Sequence, residues 1–259
     1  MTALAERIPA GHYRFRHVAR MEWIKLRSLR STWWTLALTG VAAIAIAIAV
    51  GLNTKNPSAD LTNNVLAGIS VGLFLIGVLG VLVMTSEYSS GMIRATLAAT
   101  PDRPLVLAAK AVVFAVVALA LGEAASFISF FAGRAALRHG ISAPALSQPA
   151  VLRAVILGGA GYCLIGLLGL GLGAIIRHTA AAVAVLVGGV YVLAQVIAAI
   201  AHPVFAYIPI SIVANSLSTT RPVGQGVHML PPLAGLAMLC LYAAAALGIG
   251  CLLLARRDA

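Results

Sequence analysis

The sequence predicts an all-α, polytopic membrane protein with six transmembrane helices, and three observations carry that prediction. First, of 259 residues 61% are hydrophobic and only 10% are charged, with a mean hydropathy of +1.00. A soluble domain carries roughly 25% charged residues, because it must keep a large surface wet. Second, the charged residues cluster in short stretches between long uncharged runs. Runs of about 20 apolar residues match a hydrocarbon core roughly 30 Å thick. Third, backbone amides cannot stay unpaired in lipid, so such runs form helices. A soluble fold is excluded.

Residues 1–32 are basic and hold no spanning run. Within them Arg16, Arg20, Trp23, Arg27 and Arg30 step by four, three, four and three residues, so they share one helical face. Phe15, Val18, Ala19, Leu26 and Leu29 lie on another. That pattern predicts a basic amphipathic helix in the headgroup region, its apolar face down in the lipid, with Trp23, Trp33 and Trp34 suited to the interface. The plainer alternative is a positive anchor that merely orients the first span.

The first span is read at about residues 33–52. Its Ala45-Ile46-Ala47 resembles a signal-peptidase site, but the basic stretch before it is long and the apolar run exceeds the usual h-region, so an uncleaved helix is expected. A short polar loop leads to the second span, 65–85. A polar, helix-compatible segment comes next, and Pro104 opens a long third span, 104–132. After a linker with Pro144 and Pro149 come the fourth span, 154–176, and the fifth, 180–200, separated by little more than Arg177-His178. Segment 202–232 has five prolines yet also Ile208, Ile210 and Ile212. It is too broken to span and too apolar for a free loop, so a re-entrant or surface-lying piece is expected on the external side. The sixth span covers 233–254, and 255–259 form a tail.

The net charge of +11 would suggest nucleic acid in a soluble protein; here its distribution matters more, and no nucleic-acid partner is expected. Six spans put both termini on one side. That side, with the connection between spans two and three, Arg177 and the last two arginines, collects 13 Lys and Arg against five on the other. Both termini are therefore expected in the cytoplasm, and the membrane is read as a bacterial plasma membrane. Cys163, Cys240 and Cys251 fall inside apolar runs without paired spacing, and read as small packing residues.

Signatures of chemistry on this chain are missing. The three lysines, Lys25, Lys55 and Lys110, follow no glycine-rich turn, so no P-loop cradles phosphates. No HExxH or GxSxG occurs, the six histidines are scattered, and no acidic pair suggests acid–base work. The reading is a non-enzyme that binds neither cofactor nor metal.

The most specific segment is Glu87-Tyr88-Ser89-Ser90-Gly91-Met92-Ile93-Arg94-Ala95-Thr96-Leu97. It resembles the E-Y-x-x-G-x-[IL]-[RK]-x-x-L stretch of the ABC-2-type transporter permeases, placed as there between the second and third spans. The basic amphipathic helix, the six spans and the broken segment before the sixth extend the resemblance along the chain. The resemblance implies a short cytoplasmic coupling helix at about 87–98, seated on a separate ABC ATPase subunit present in two copies. Glu87, Tyr88, Gly91, Ile93, Arg94 and Leu97 match the pattern and inherit that contact. Met92 stands where the family often has Thr or Ser. It further implies a homodimer or a heterodimer with a similar permease, with ATP and Mg²⁺ bound by the partner. The expected activity is export of an amphipathic substrate such as a drug, antibiotic or lipid. An ordinary polar loop turning at Gly91 is the plain alternative for the segment.

Inside the spans, Glu123 reads either as a proton or substrate-cation site or as a carboxyl hydrogen-bonded near the outer interface beside Ser126 and Ser129. Gly68-x3-Gly72 and Gly169-x3-Gly173 permit close helix approach, more simply within the chain than at a subunit seam. Tyr191 and Gln195, four apart in the fifth span, share a face. The resemblance places the second and fifth spans beside a translocation path, so Ser70, Tyr191, Gln195 and Glu123 are the candidate substrate contacts, against plain interhelix bonding. Two rival classes stay open: a proton-coupled secondary transporter using Glu123, and a membrane immunity or scaffold protein without a path.

Overall fold

The computed structural model describes residues 14–55, 60–137, 141–200, 202–219 and 229–256. Expectations for residues 1–13, including Arg7, and for Arg138, Arg221 and Arg257 lie outside the described residues. Among the described residues every regular element is a helix, and six are long and apolar enough to cross a membrane. Their outer surfaces carry large apolar side chains that a soluble protein would bury, such as Trp34, Val116 and Leu241. The architecture is that of a multi-pass membrane protein.

Helix α1 (Phe15–Ser28) ends where Leu29 turns extended, and α2 (Arg30–Asn53) is the first span. Arg30 therefore begins the span and does not continue the α1 face: the break at Leu29 interrupts the helical spacing from Arg27. The indole N–H of Trp33 donates to the Arg27 carbonyl at 3.0 Å and fixes this elbow. Short α3 (Leu61–Val65), capped by Asp60, precedes the second span, α4 (Gly68–Ser89). The chain is thus helical earlier than the predicted polar loop allows, and the span starts at Gly68, not 65.

Helix α5 (Met92–Ala99) is a separate eight-residue unit, and α6 (Arg103–Ala135) is the third span. Its 33 residues make a rod about 50 Å long at 1.5 Å per residue, longer than a hydrocarbon core. Pro149 starts the fourth span, α7 (Pro149–Ile176), several residues before position 154; proline at the first helical position needs no N–H partner. The fifth span is compound: α8 (Thr179–Ala184), a π-helical stretch Val185–Leu193, and α9 (Ala194–Ile200). After a 3₁₀ turn, His202–Tyr207, α10 (Pro209–Leu217) packs into the bundle, and α11 (Pro232–Arg256) is the sixth span.

Helix α7 forms the centre of the bundle, with α4, α6 and α11 against it. Glycine makes the α4–α7 crossing possible: a Cβ on Gly80 would strike the Gly166 carbonyl, and one on Gly169 the Gly77 carbonyl. Backbones this close gain dispersion contacts that lipid cannot supply. Gly68 meets Ala43 of α2, Gly72 lies beneath the Tyr162 phenol, and Gly173 faces Met84, so both glycine patterns serve packing within the chain. At the end away from α5, Asp60 accepts from the Thr219 amide at 2.8 Å and its hydroxyl at 3.0 Å, tying α3 to the end of α10. The α10 residues Ile212, Val213 and Leu217 are buried against Gly235, Gly161 and Gly158. The broken segment is thus a short helix wedged between α7 and α11; residues 220–228 of it are outside the described residues.

Candidate functional site

The candidate site is the end of the bundle where α1, the α4–α5 turn and the start of α6 meet. Helix α4 runs to Ser89, with Glu87 and Tyr88 in its last turn. The predicted helix over 87–98 is therefore two pieces hinged at Gly91, whose φ of +71° is a left-handed conformation that favours glycine. Asp102 caps α6 by accepting from the Leu105 amide at 3.1 Å.

Four charged side chains close on one another here. The Lys110 ammonium of α6 donates to both Glu22 of α1 and Glu87 of α4, the latter at 2.7 Å. Lys25 of α1 donates to Glu22 at 2.9 Å, to Glu87 at 3.0 Å and to the Thr96 hydroxyl of α5 at 2.9 Å. Glu22, Glu87 and Lys110 are 3%, 2% and 4% exposed. Charges this far from water cost several kcal/mol each to desolvate, and only mutual pairing offsets that. With two positive and two negative groups the cluster is neutral. A cavity beside it is lined by Leu26, Leu29, Thr32, Val83, Ser86 and Met92 as well as by the four charged groups.

An apolar seam reinforces the junction: Val18 of α1 packs with Val106 and Ala109 of α6, joined by Leu97 of α5. This corrects the expectation for Val18 and Leu26 of the α1 apolar face, while Phe15 and Leu29 stay exposed. The buried stripe of α1, Val18, Glu22 and Leu26, docks on protein and does not point into lipid, because Glu22 in that stripe finds its counter-charges there. The basic face with Arg16, Arg20 and Arg27 turns outward, together with Trp23.

The segment matched to the permease pattern divides by burial. Glu87 and Ile93 are buried, Tyr88 and Leu97 half-buried, and Gly91, Met92 and Arg94 exposed. Glu87 and Ile93 thus hold α5 to the bundle, while Gly91, Met92 and Arg94 face outward. Tyr88 turns away from its neighbour: its ring lies 5.4 Å from the Arg177 guanidinium. Arg177 donates to the Leu253 carbonyl at 2.9 Å, and Arg103 to the Leu254 carbonyl at 3.0 Å, capping the end of α11. Arg177 itself holds a left-handed φ of 60° at the end of α7, a strained conformation for a side chain of this size.

The candidate path residues do not form one site. Ser70 is half-buried on α4. The Tyr191 ring meets Phe74 of α4 edge-on at 5.6 Å, and its hydroxyl is unpartnered. Gln195 reaches the Ser211 hydroxyl of α10 at 3.5 Å. Tyr191 and Gln195 thus reach different helices, α4 and α10. Glu123 lies elsewhere, against Gly159 on the α6–α7 seam. Ser126 and Ser129 do not satisfy it: the Ser126 hydroxyl donates to the Val155 carbonyl, and the Ser129 hydroxyl has no partner.

Sequence reasoning missed Glu22, Lys25 and Lys110 as a unit. The signal was present, since an acid in an otherwise apolar stripe of α1 asks for a lysine elsewhere. It also missed Tyr162, fully buried with an unpartnered hydroxyl. Among the described residues no group of His, Cys, Asp and Glu could hold a metal ion. In comparisons with known proteins, no family model matches the chain and no curated protein matches it.

Proposed function

We propose that this chain is the membrane-spanning subunit of an ATP-driven exporter of the ABC-2 type, working in a dimer with two separate ATPase subunits. The observation that carries the reading is the mounting of α5. It stands outside the six spans, its inner side is bonded into α1, α4 and α6 through Thr96 and the four-charge cluster, and its outer side is exposed. A push on that outer side displaces Ile93 and Thr96, and the ion pairs carry the displacement to α1, α4 and α6 together. Packed helices respond to such a push as rigid bodies.

The end bearing α1 and α5 is the basic end, which the positive-inside tendency assigns to the cytoplasm together with both termini. ATP and Mg²⁺ then belong to the partner, and this chain supplies the path for an amphipathic substrate across a bacterial plasma membrane. The test is co-expression with an ABC ATPase encoded in the same gene neighbourhood. Copurification is expected, and Arg94→Glu and Gly91→Trp should abolish assembly or ATP-dependent efflux. If neither substitution alters either readout, α5 is no coupling helix. The unpartnered carboxyl of Glu123 favours a second reading, a proton-coupled transporter; it requires transport by the lone chain in a proton gradient without ATP.

A further inference from the structure

Five acidic side chains are described, and four of them have partners. Glu22 and Glu87 pair with lysines, Asp60 holds Thr219 and the start of α3, and Asp102 caps α6. Glu123 has no hydrogen-bond or ion-pair partner among the described residues. It sits in α6 about 20 Å beyond Lys110 at 1.5 Å per residue, well within a membrane-spanning rod. An ionisable group at such depth ordinarily faces a partner or a wet cavity.

The surroundings say where a partner would come from. The carboxyl rests on Gly159 of α7, where a Cβ would come within 2.5 Å of both the carboxyl carbon and an oxygen. The glycine is therefore a seat cut for that group. Glu123 is half-buried, not enclosed. Leu119, Val116 and Val112, four, seven and eleven residues before it on α6, are exposed, as are Ile156 and Leu152 just before Gly159 on α7. Helical spacing places them along the same seam. The carboxyl thus opens onto an exposed apolar surface of the bundle.

We propose that Glu123 is the charge-pairing group of a bilayer-facing site on the α6–α7 seam that takes a protonated amine carried on an apolar body. The amine supplies the counter-charge and the N–H donors that no described side chain provides. The apolar body lies along Leu119, Val116 and Ile156. A metal ion is disfavoured, because a single carboxylate is the whole donor set. An anion is excluded by charge. The proposal deepens the export reading by naming the charge of the cargo, and it rests on that reading only for the transport step after binding. Two sources share this chemistry: a free amphiphilic amine, or the aminoethyl headgroup of a bilayer lipid.

The test uses the full chain alone in phosphatidylcholine nanodiscs, titrated with a fluorescent long-chain alkylamine and with its N-acetylated, uncharged analogue. Saturable binding of the amine is expected, weakened about tenfold or more by Glu123→Gln and by no more than about threefold by Glu123→Asp. The acetylated analogue should bind both forms equally weakly. Unchanged binding to Glu123→Gln, or equal binding of the two probes, overturns the proposal. If Glu123→Gln fails to purify as a folded chain, labelling of wild-type Glu123 by a lipophilic carbodiimide replaces it. The N,N-dimethylated tertiary amine, cationic but unable to form an amide with the activated carboxyl, should then slow labelling and the acetylated analogue should not; equal labelling rates overturn the proposal. Discs containing phosphatidylethanolamine identify the source: competition with the alkylamine assigns the site to the lipid headgroup, and none assigns it to a free amphiphile. No ATPase is present, so failure here leaves the coupling-helix reading intact, and failed copurification leaves this site intact.

Discussion

Glu87 bonds Lys110 at 2.7 Å across the base of the bundle, while Tyr88, next to it in sequence, lies 5.4 Å from Arg177 on the other side. Consecutive residues of one helical turn point about 100° apart, so the pair grips two groups of helices at once. Through Glu87 the end of α4 is joined to α1 and α6; through Tyr88 and Arg177 it is joined to α7 and α11. A movement of the α4–α5 turn therefore has a bonded route to five of the long elements.

The ion cluster makes the first prediction. Lys110→Met leaves Glu22 and Glu87 buried with only Lys25 between them, and removing one member of a buried ionic group costs about 3–5 kcal/mol. Thermal unfolding of the purified chain in detergent should fall accordingly. The double change Glu22→Leu with Lys110→Met removes a charge of each sign and leaves the pair Lys25–Glu87 in place. It should be less damaging than Lys110→Met alone. A double variant at least as unstable as the single would show that the four charges are not a coupled set.

Gly91 gives the second. A Cβ there would meet nothing within 4 Å, so the cost of substitution lies in the backbone alone. Gly91→Ala should cost about 1–2 kcal/mol for the left-handed conformation, and Gly91→Asn less. The alanine variant also serves as the control for Gly91→Trp. Should assembly with an ATPase be lost with tryptophan and kept with alanine, the bulk at position 91 meets an outside surface. Equal loss in both variants would trace the defect to the hinge.

Most of the fold was legible because lipid allows so few solutions. Long uncharged runs can only be helices, and all six spans are found where the runs lie, with ends shifted by a few residues at Gly68, Pro149 and Arg256. The π-helical stretch was not legible, since Val185–Leu193 has the same composition as any α-helical span. The site was half legible. The pattern from Glu87 to Leu97 marked the right segment, but a pattern does not tell an outward residue from a buried one. Glu87 went inward because Lys25 and Lys110 are there to receive it, and that pairing joins positions 62 and 23 residues away. The face of α1 was misread for the same reason: periodicity gives a stripe, and only the third dimension says whether protein or lipid covers it.

Tyr88 supplies the third prediction. Its hydroxyl is buried without a partner, so the ring is what matters. Tyr88→Phe keeps the face presented to Arg177 and should be neutral or raise stability by roughly 1 kcal/mol, whereas Tyr88→Leu forfeits a cation–π contact worth about 0.5–2 kcal/mol. Thermal unfolding of the three forms gives the comparison. Phenylalanine as damaging as leucine would mean that the hydroxyl, not the ring, holds the junction.

Tyr162 and Gly72 give the last. The phenol of α7 lies over α4 so closely that a Cβ at position 72 would overlap its hydroxyl. That hydroxyl is fully buried with no hydrogen-bond partner, and an unsatisfied buried hydroxyl costs about 1–3 kcal/mol. Tyr162→Phe should therefore be neutral or raise stability by roughly 1 kcal/mol. Gly72→Ala should destabilise by about 1–3 kcal/mol through overpacking. Because the methyl and the hydroxyl claim the same volume, the two changes should not add: Tyr162→Phe should recover part of the Gly72→Ala loss. Strict additivity in this cycle would mean that Tyr162 does not pack on Gly72, and with it the α4–α7 crossing drawn from these glycines would have to be redrawn.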